Sequence, residues 1–408
     1  MMRVQRAPRR HERSGDAEER RGEMFAERMN RLGTETAFEV LAKARKLEAQ
    51  GRSIVHLEIG EPDFDTPDNI RKAAVDAIWA GDTHYGPSAG MMPVREAICR
   101  YFKKDRGLTY TPDQIILAPG GKPIIFLPII ALVDHGDEVI YPNPGYPIYE
   151  SAINFAGGKA VPLEYTEERD FRFDIAELEA KINPKTKMVI INSPQNPTGG
   201  VLEESDLKRI GELAVENDVI VLSDEVYSKI IYEGEHRTIA TYPGMQDRTI
   251  LMDAHSKTYA MTGWRLGYSA MPTAIAERFA KLNTNIYSHA TSFVQTAGVE
   301  ALEGPQDEVE KMVAIFKERR DAIVDGLNDI KGFSCLKPKG AFYVFPNIKE
   351  TGMKSQEVAD KILNEAGVAC LSGTCFGSFG EGFIRFSYAN SLENIKEALS
   401  RIKKLMEG

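Results

Sequence analysis

The arrangement of apolar and polar positions divides this chain into two regions with different rhythms. Short apolar runs recur at 115–118, 138–141, 188–192, 219–223, 249–252 and 266–270. Each is too short for a helix and reads as a strand. Amphipathic stretches such as 203–216 separate several of them. Strands alternating with helices predict an α/β fold with a mostly parallel sheet joined by crossover helices.

The two ends of the chain read differently. Over 34–50, Phe38, Leu41 and Leu47 with alanines between them predict a helical face, and Gly51 ends it. Residues 54–59 form a short extended run into Gly60-Glu61-Pro62. Beyond residue 300, a charged helix over 307–327 precedes short strands at 340–345 and 383–388 and a closing helix. These elements predict a smaller α+β domain that the segment before residue 60 joins. The expected division is 24–60 for the N-terminal part of the small domain, 61–295 for the large domain and 296–408 for the remainder of the small domain. Residues 1–23 carry seven arginines interleaved with acids and no apolar periodicity. They predict a disordered extension, with Met24 a candidate initiator.

Composition narrows the classes of function. The 408 residues are 42% hydrophobic and 27% charged, with a formal net charge of −9. That charge argues against nucleic acid or an anionic membrane as the main partner. No apolar run approaches the roughly 20 residues that cross a bilayer. The four cysteines form no CxxC pair, which predicts reduced thiols in a cytoplasmic protein, and the seven histidines have no metal-ligand spacing.

Candidate chemistry gathers where strands end. In open α/β sheets, ligands bind beyond the carboxyl ends of the strands. Pro119-Gly120-Gly121-Lys122 follows the first run and opens a helix. Ser193 to Gly199 follows the third, Ser223-Asp224-Glu225 and Tyr227 end the fourth, and His255-Ser256-Lys257 follows the fifth. Singly each is ordinary: a solvated lysine, an aspartate capping a helix, a tight glycine turn. Four such clusters in one domain describe a site.

The string Ser256-Lys257-Thr258-Tyr259-Ala260-Met261-Thr262-Gly263-Trp264-Arg265-Leu266-Gly267-Tyr268 is long and specific. With Gly60 to Phe64, His84-Tyr85-Gly86-Pro87, Gly120-Gly121-Lys122, Pro142 to Tyr149, Asn196 to Gly199, Asp224 to Tyr227 and Arg385-Phe386-Ser387, it resembles the fold-type-I aminotransferases of the class I/II superfamily. The likeness is to their bacterial and archaeal aspartate aminotransferase-like branch, and runs from about residue 34 to the C-terminus.

That resemblance implies a large domain with a seven-stranded type of sheet and pyridoxal 5'-phosphate as cofactor. It implies that Lys257 holds the cofactor as a Schiff base and shuttles a proton, and that Asp224 pairs with the pyridine nitrogen. It gives Asn196 and Tyr227 the 3'-oxygen and Tyr146 the ring face. Gly121, Lys122, Ser256 and Arg265 take the phosphate, helped by a helix start. Tyr85 reaches the same phosphate from a second subunit, which makes the protein a homodimer with shared active sites. Arg385 binds the substrate α-carboxylate as a fork, with a backbone contact from Gly60 and a further contact from Asn196. His255 supports the site from behind.

Two positions depart from the pattern: Ala254 stands where many relatives have a hydroxyl, and Thr284 where some place an arginine. The implied reaction moves the amino group of an L-amino acid to a 2-oxo acid, 2-oxoglutarate in the first place, by a ping-pong cycle. Lys122 serves either the phosphate or the second carboxylate of an aspartate- or glutamate-type donor. Alanine, aromatic or branched-chain donors, or a β-lyase or decarboxylase reaction on the same cofactor, are the alternatives. A cofactor-sensing regulator needs a DNA-binding domain ahead of this fold, and nothing before residue 34 reads as one.

Overall fold

The computed structural model describes residues 24–408, so the expected disorder of residues 1–23 lies outside the described residues. Among the described residues, thirteen strands form three sheets. They are β1 (Val55–His56), β2 (Ile115–Ala118), β3 (Glu138–Asn143), β4 (Lys159–Thr166), β5 (Arg172–Phe173), β6 (Thr186–Asn192), β7 (Ile220–Asp224), β8 (Thr249–Ala254), β9 (Gly267–Ala270), β10 (Tyr343–Val344), β11 (Val368–Ala369), β12 (Leu371–Ser372) and β13 (Ile384–Ser387).

The large sheet has eight strands in the order β2-β9-β8-β7-β6-β3-β4-β5. Its centre is parallel, from β8 through β7, β6 and β3 to β4, and β9 runs antiparallel between β8 and β2. Along β2 the pleat sends successive side chains to opposite faces. Ile115 and Leu117 join one apolar cluster, with Phe102 and Tyr268, while Ile116 and Ala118 join another, with Ile124 and Phe279. A strand covered on both faces has no polar positions to alternate, hence the unbroken apolar run in the sequence.

β4 carries no such run. Its exposure is mixed, and Pro162 and Glu164 interrupt it. Only Tyr165 and Thr166 are covered by β5, so most of β4 is a sheet edge, where proline is tolerated. The two-residue β5 adds an eighth member at that edge.

The chain ends meet away from this sheet. Val55 and His56 pair in parallel with Val368 and Ala369. β13 lies between β10 and β12, antiparallel to both. The helices Thr36–Glu48, Asp307–Asn328 and Leu392–Glu407 accompany them. The expected strand over 340–345 contracts to Tyr343–Val344, because Gly340 makes an isolated bridge to Ile231 and Ala341 takes a left-handed φ of 57°.

Candidate active site

The carboxyl ends of β6, β7 and β8 and the start of the helix Gly121–Leu132 open onto one cavity of about 510 Å³. Asn192 ends β6, Asp224 ends β7, and Lys257 lies on the one-turn helix His255–Thr258 directly after β8. Gly60, Tyr343 and Arg385, from the two ends of the chain, close the cavity from the other side.

Lys257 donates to the Gly60 carbonyl at 2.5 Å. Burial pushes its amine down to about 8, with Arg385 and Arg265 adding to the shift and Glu61 opposing it. The loop that continues from it holds two non-glycine residues, Ala260 and Arg265, at φ of 49° and 57°. Such left-handed backbone persists only where its surroundings over-determine it.

Asp224 is buried, accepts the Tyr149 hydroxyl at 2.6 Å and the Val226 N–H at 3.3 Å, and has no cationic partner among the described residues. Burial pushes its carboxyl up to about 7, helped by Asp253 and Glu225 and opposed by those two hydrogen bonds. A buried carboxylate facing a cavity without a counter-charge fits a bound group that brings its own cation, such as a protonated ring nitrogen.

Arg385 is the complementary case. It is 4% exposed, and its guanidinium lies between the rings of Tyr343 (4.6 Å) and Phe376 (4.9 Å). It donates to Asn196 Oδ1 at 3.2 Å and to the Glu58 carbonyl, while its Nε has no partner and no carboxylate pairs with it among the described residues. A buried arginine without a counter-ion calls for an anionic ligand. Asn196 is itself held by its N–H on Asn192 Oδ1 at 2.9 Å, and Tyr227 by a 2.8 Å hydroxyl contact with Tyr343.

At the opposite end, Arg265 leans on the Gly120 turn and donates to the Thr262 carbonyl at 2.7 Å. Gly120 has φ 90°, and a Cβ there would collide with the Arg265 guanidinium. Helix N–H groups at Gly121 and Lys122, Arg265 and the buried Ser256 thus border one end of the cavity, a suitable setting for a phosphate. Ala254 borders it too and offers only a methyl.

The structure brings together Gly60, Gly121, Lys122, Tyr146, Asn196, Asp224, Tyr227, Ser256, Lys257, Arg265 and Arg385 around this cavity. Tyr85 is not among them: it is 89% exposed, edge-on to His289 at 5.7 Å. His255 sits behind the site, fully buried, its Nε2 3.2 Å from the Gly298 carbonyl, and burial pushes it down to about 4.

Three residues make site contacts that the sequence reading did not assign. Tyr343 stands so close to Gly60 that any Cβ there would strike its hydroxyl, yet in sequence it sits inside an apolar run. Tyr149, named in the sequence only as the end of the Pro142 to Tyr149 stretch, holds Asp224. Glu35 accepts both the Tyr146 hydroxyl (2.7 Å) and the Lys122 ammonium (2.6 Å). Beneath the site, Arg106 donates to Glu225 Oε2 at 2.6 Å, to Ser228 Oγ at 3.0 Å and to Asp253. Glu225 also receives His236 at 2.7 Å and Thr238 at 2.5 Å.

A lysine just beyond one strand and an uncompensated carboxylate at the end of its parallel neighbour, facing a guanidinium with no carboxylate partner among the described residues and a helix-start anion cradle, suit an amine-bonded, phosphorylated cofactor and a carboxylate-bearing substrate. The comparisons with known proteins agree. The family described as aminotransferase class I and II matches residues 52–402. The aromatic-amino-acid aminotransferase 2 of Thermococcus litoralis is 41% identical over 88% of this chain and 93% of its own length. The aspartate aminotransferase of Pyrococcus abyssi is 41% identical over 90% and 95%. The solved structure of the Thermus thermophilus aspartate aminotransferase with maleate has a TM-score of 0.90 at 36% identity, over 93% of this chain and 99% of that one. This chain belongs to the class I and II aminotransferases. It is a transferase whose cofactor is pyridoxal 5'-phosphate.

Proposed function

We propose that this chain moves the amino group of an L-amino acid, preferably aspartate or glutamate, to 2-oxoglutarate by a ping-pong cycle. The observation that carries the reading is the buried Arg385, unpaired with any carboxylate among the described residues, facing the Lys257 amine across one cavity. The similarity to both aspartate and aromatic-amino-acid aminotransferases supports an amino-acid donor of this kind. When bound, the cofactor supplies an electron sink for the electrons left at the donor's Cα.

Lys257 anchors the cofactor covalently and, as a free amine, carries the Cα proton. An amine depressed to about 8 is a competent base near neutral pH, which the ordinary value of about 10.4 would not allow. Asp224 keeps the ring nitrogen protonated, and Asn196 and Tyr227 hold the 3'-oxygen. Tyr146 covers the ring, while Gly121, Lys122 N–H, Ser256 and Arg265 hold the phosphate. Arg385 clamps the α-carboxylate, with the Gly60 backbone and Asn196 beside it. Lys122 reads the distal carboxylate of an acidic donor; its ammonium already holds a carboxylate, that of Glu35.

Tyr85, exposed and outside its own chain's cavity, completes the phosphate site of a second subunit in a cytoplasmic homodimer. The 24–60 and 296–408 segments act as one small domain against 61–295. The reading predicts that borohydride reduction of the holoenzyme labels Lys257 alone on peptide mapping, and that spectral half-reactions across donors favour aspartate and glutamate. A label on another lysine, or no half-reaction with any α-amino acid, overturns it.

A further inference from the structure

We propose that Glu35 is a specificity-determining residue, a resident carboxylate that competes with an acidic donor's distal carboxylate for Lys122. The inference rests on the reading of Lys122 given above. Glu35 immediately precedes the helix Thr36–Glu48, yet its side chain makes no capping bond to that helix. It turns instead to the cavity wall, where one oxygen accepts from Lys122 Nζ at 2.6 Å and from the Tyr146 hydroxyl at 2.7 Å.

The pair is accessible: the side chain of Glu35 is 19% exposed and that of Lys122 45%. Phe38, one helical turn on, places its ring 5.8 Å from the Lys122 ammonium. Glu35, Phe38 and Lys122 border both the main cavity and a second one of about 210 Å³, which is otherwise lined by Gly33, Thr34, Pro147, Ile148 and Ser151.

With Glu35 in place, this end of the cavity carries one positive and one negative charge. A donor's distal carboxylate entering there meets Glu35 at contact range, where like charges repel. It gains Lys122 only by displacing Glu35, which breaks the existing ion pair and leaves the Tyr146 hydroxyl to find another acceptor. The smaller cavity, with the Thr34 hydroxyl and a Ser151 hydroxyl that bonds to Gly33, offers the displaced side chain a polar destination. A donor with an uncharged or aromatic side chain meets Phe38 beside a closed ion pair and displaces nothing. Glu35 thus narrows the preference for acidic donors that Lys122 creates, and lets one site serve both kinds.

Glu35→Gln tests this, because it keeps an acceptor for Tyr146 and removes only the charge. The ratio of kcat/KM for aspartate to that for phenylalanine should rise about tenfold, the scale of one partly exposed charged contact. Maleate, a dicarboxylate without an amine, should bind the holoenzyme about tenfold more tightly in an equilibrium titration. Lys122→Ala in the Glu35→Gln background should erase both gains. An unchanged ratio with unchanged maleate affinity overturns the role of Glu35. If Lys122→Ala alone depresses aspartate and phenylalanine equally, the reading of Lys122 fails and takes this one with it. If that loss is selective for aspartate while Glu35→Gln changes nothing, only the competition is disproved.

Discussion

Two charged assemblies border the active site and differ in kind. Beneath the sheet ends, Arg106 is nearly inaccessible and bridges Glu225 and Asp253, the residues next to Asp224 and Ala254. At the rim, Lys122 and Glu35 form a single contact in partial reach of water. In the first, every charge has been taken out of water and each partner depends on the others. In the second, solvent can replace either partner. The inner assembly therefore behaves as structure that fixes where Asp224 and the Lys257 turn stand, and the outer one as an exchangeable ligand position.

Removing the chemistry that both assemblies frame has the largest expected effect. Lys257→Ala should lower turnover by about four orders of magnitude or more, since anchor and base vanish together. Single-turnover spectra with aspartate check this, and a loss of less than a hundredfold would reassign the base.

Arg106→Ala should then cost about 3–5 kcal/mol of folding stability, because two buried carboxylates lose their counter-charge. Denaturant unfolding of apoenzyme and holoenzyme measures it. A loss below about 1 kcal/mol would place the inner assembly in the same class as the rim.

The third test uses pH. Only the neutral amine captures an aldehyde, and burial holds Lys257 near 8. The rate at which apoenzyme captures pyridoxal 5'-phosphate should rise with pH and level off above about 8. At pH 7 it should exceed by about two-hundredfold the rate for an amine of ordinary pKa near 10.4. Stopped-flow absorbance from pH 6 to 10 reads the midpoint, and one near 10 would show that burial does not tune this lysine.

The smallest effect belongs to the rim. Lys122→Ala should cost less than about 1 kcal/mol of stability, as partly exposed ion pairs do. It should remove roughly 1.5–3 kcal/mol of transition-state binding from aspartate while sparing phenylalanine. A stability loss matching that of Arg106→Ala would erase the distinction between the two assemblies.

The sequence revealed what repeats along the chain better than what meets across it. The strands of the sheet interior were legible because burial on both faces leaves an apolar run, and Lys257, Asp224 and Asn196 followed from standing just after such runs. β4 was not, since an edge strand keeps polar positions and a proline. Arg106 ends the helix Met92–Arg106 among lysines and an aspartate, so it reads as a solvated charge; its partners lie more than a hundred residues away. The contact between Glu35 and Lys122 was not legible, because nothing local couples positions 87 residues apart. Tyr343 was masked by its apolar neighbours, where an aromatic ring reads as filling.

The parallel pairing of Val55 with Val368 has a consequence for the order in which this protein can be made. Residues near 60 leave the ribosome early, but their strand partner arrives more than three hundred residues later. The guanidinium that faces Lys257 is translated later still, at Arg385. Once the lysine turn has been made, more than a hundred further residues must be added before Arg385 supplies the clamp for an amino acid, so catalytic competence cannot precede the synthesis of Arg385. A chain released before residue 385 should fold its large sheet and still be silent as an enzyme.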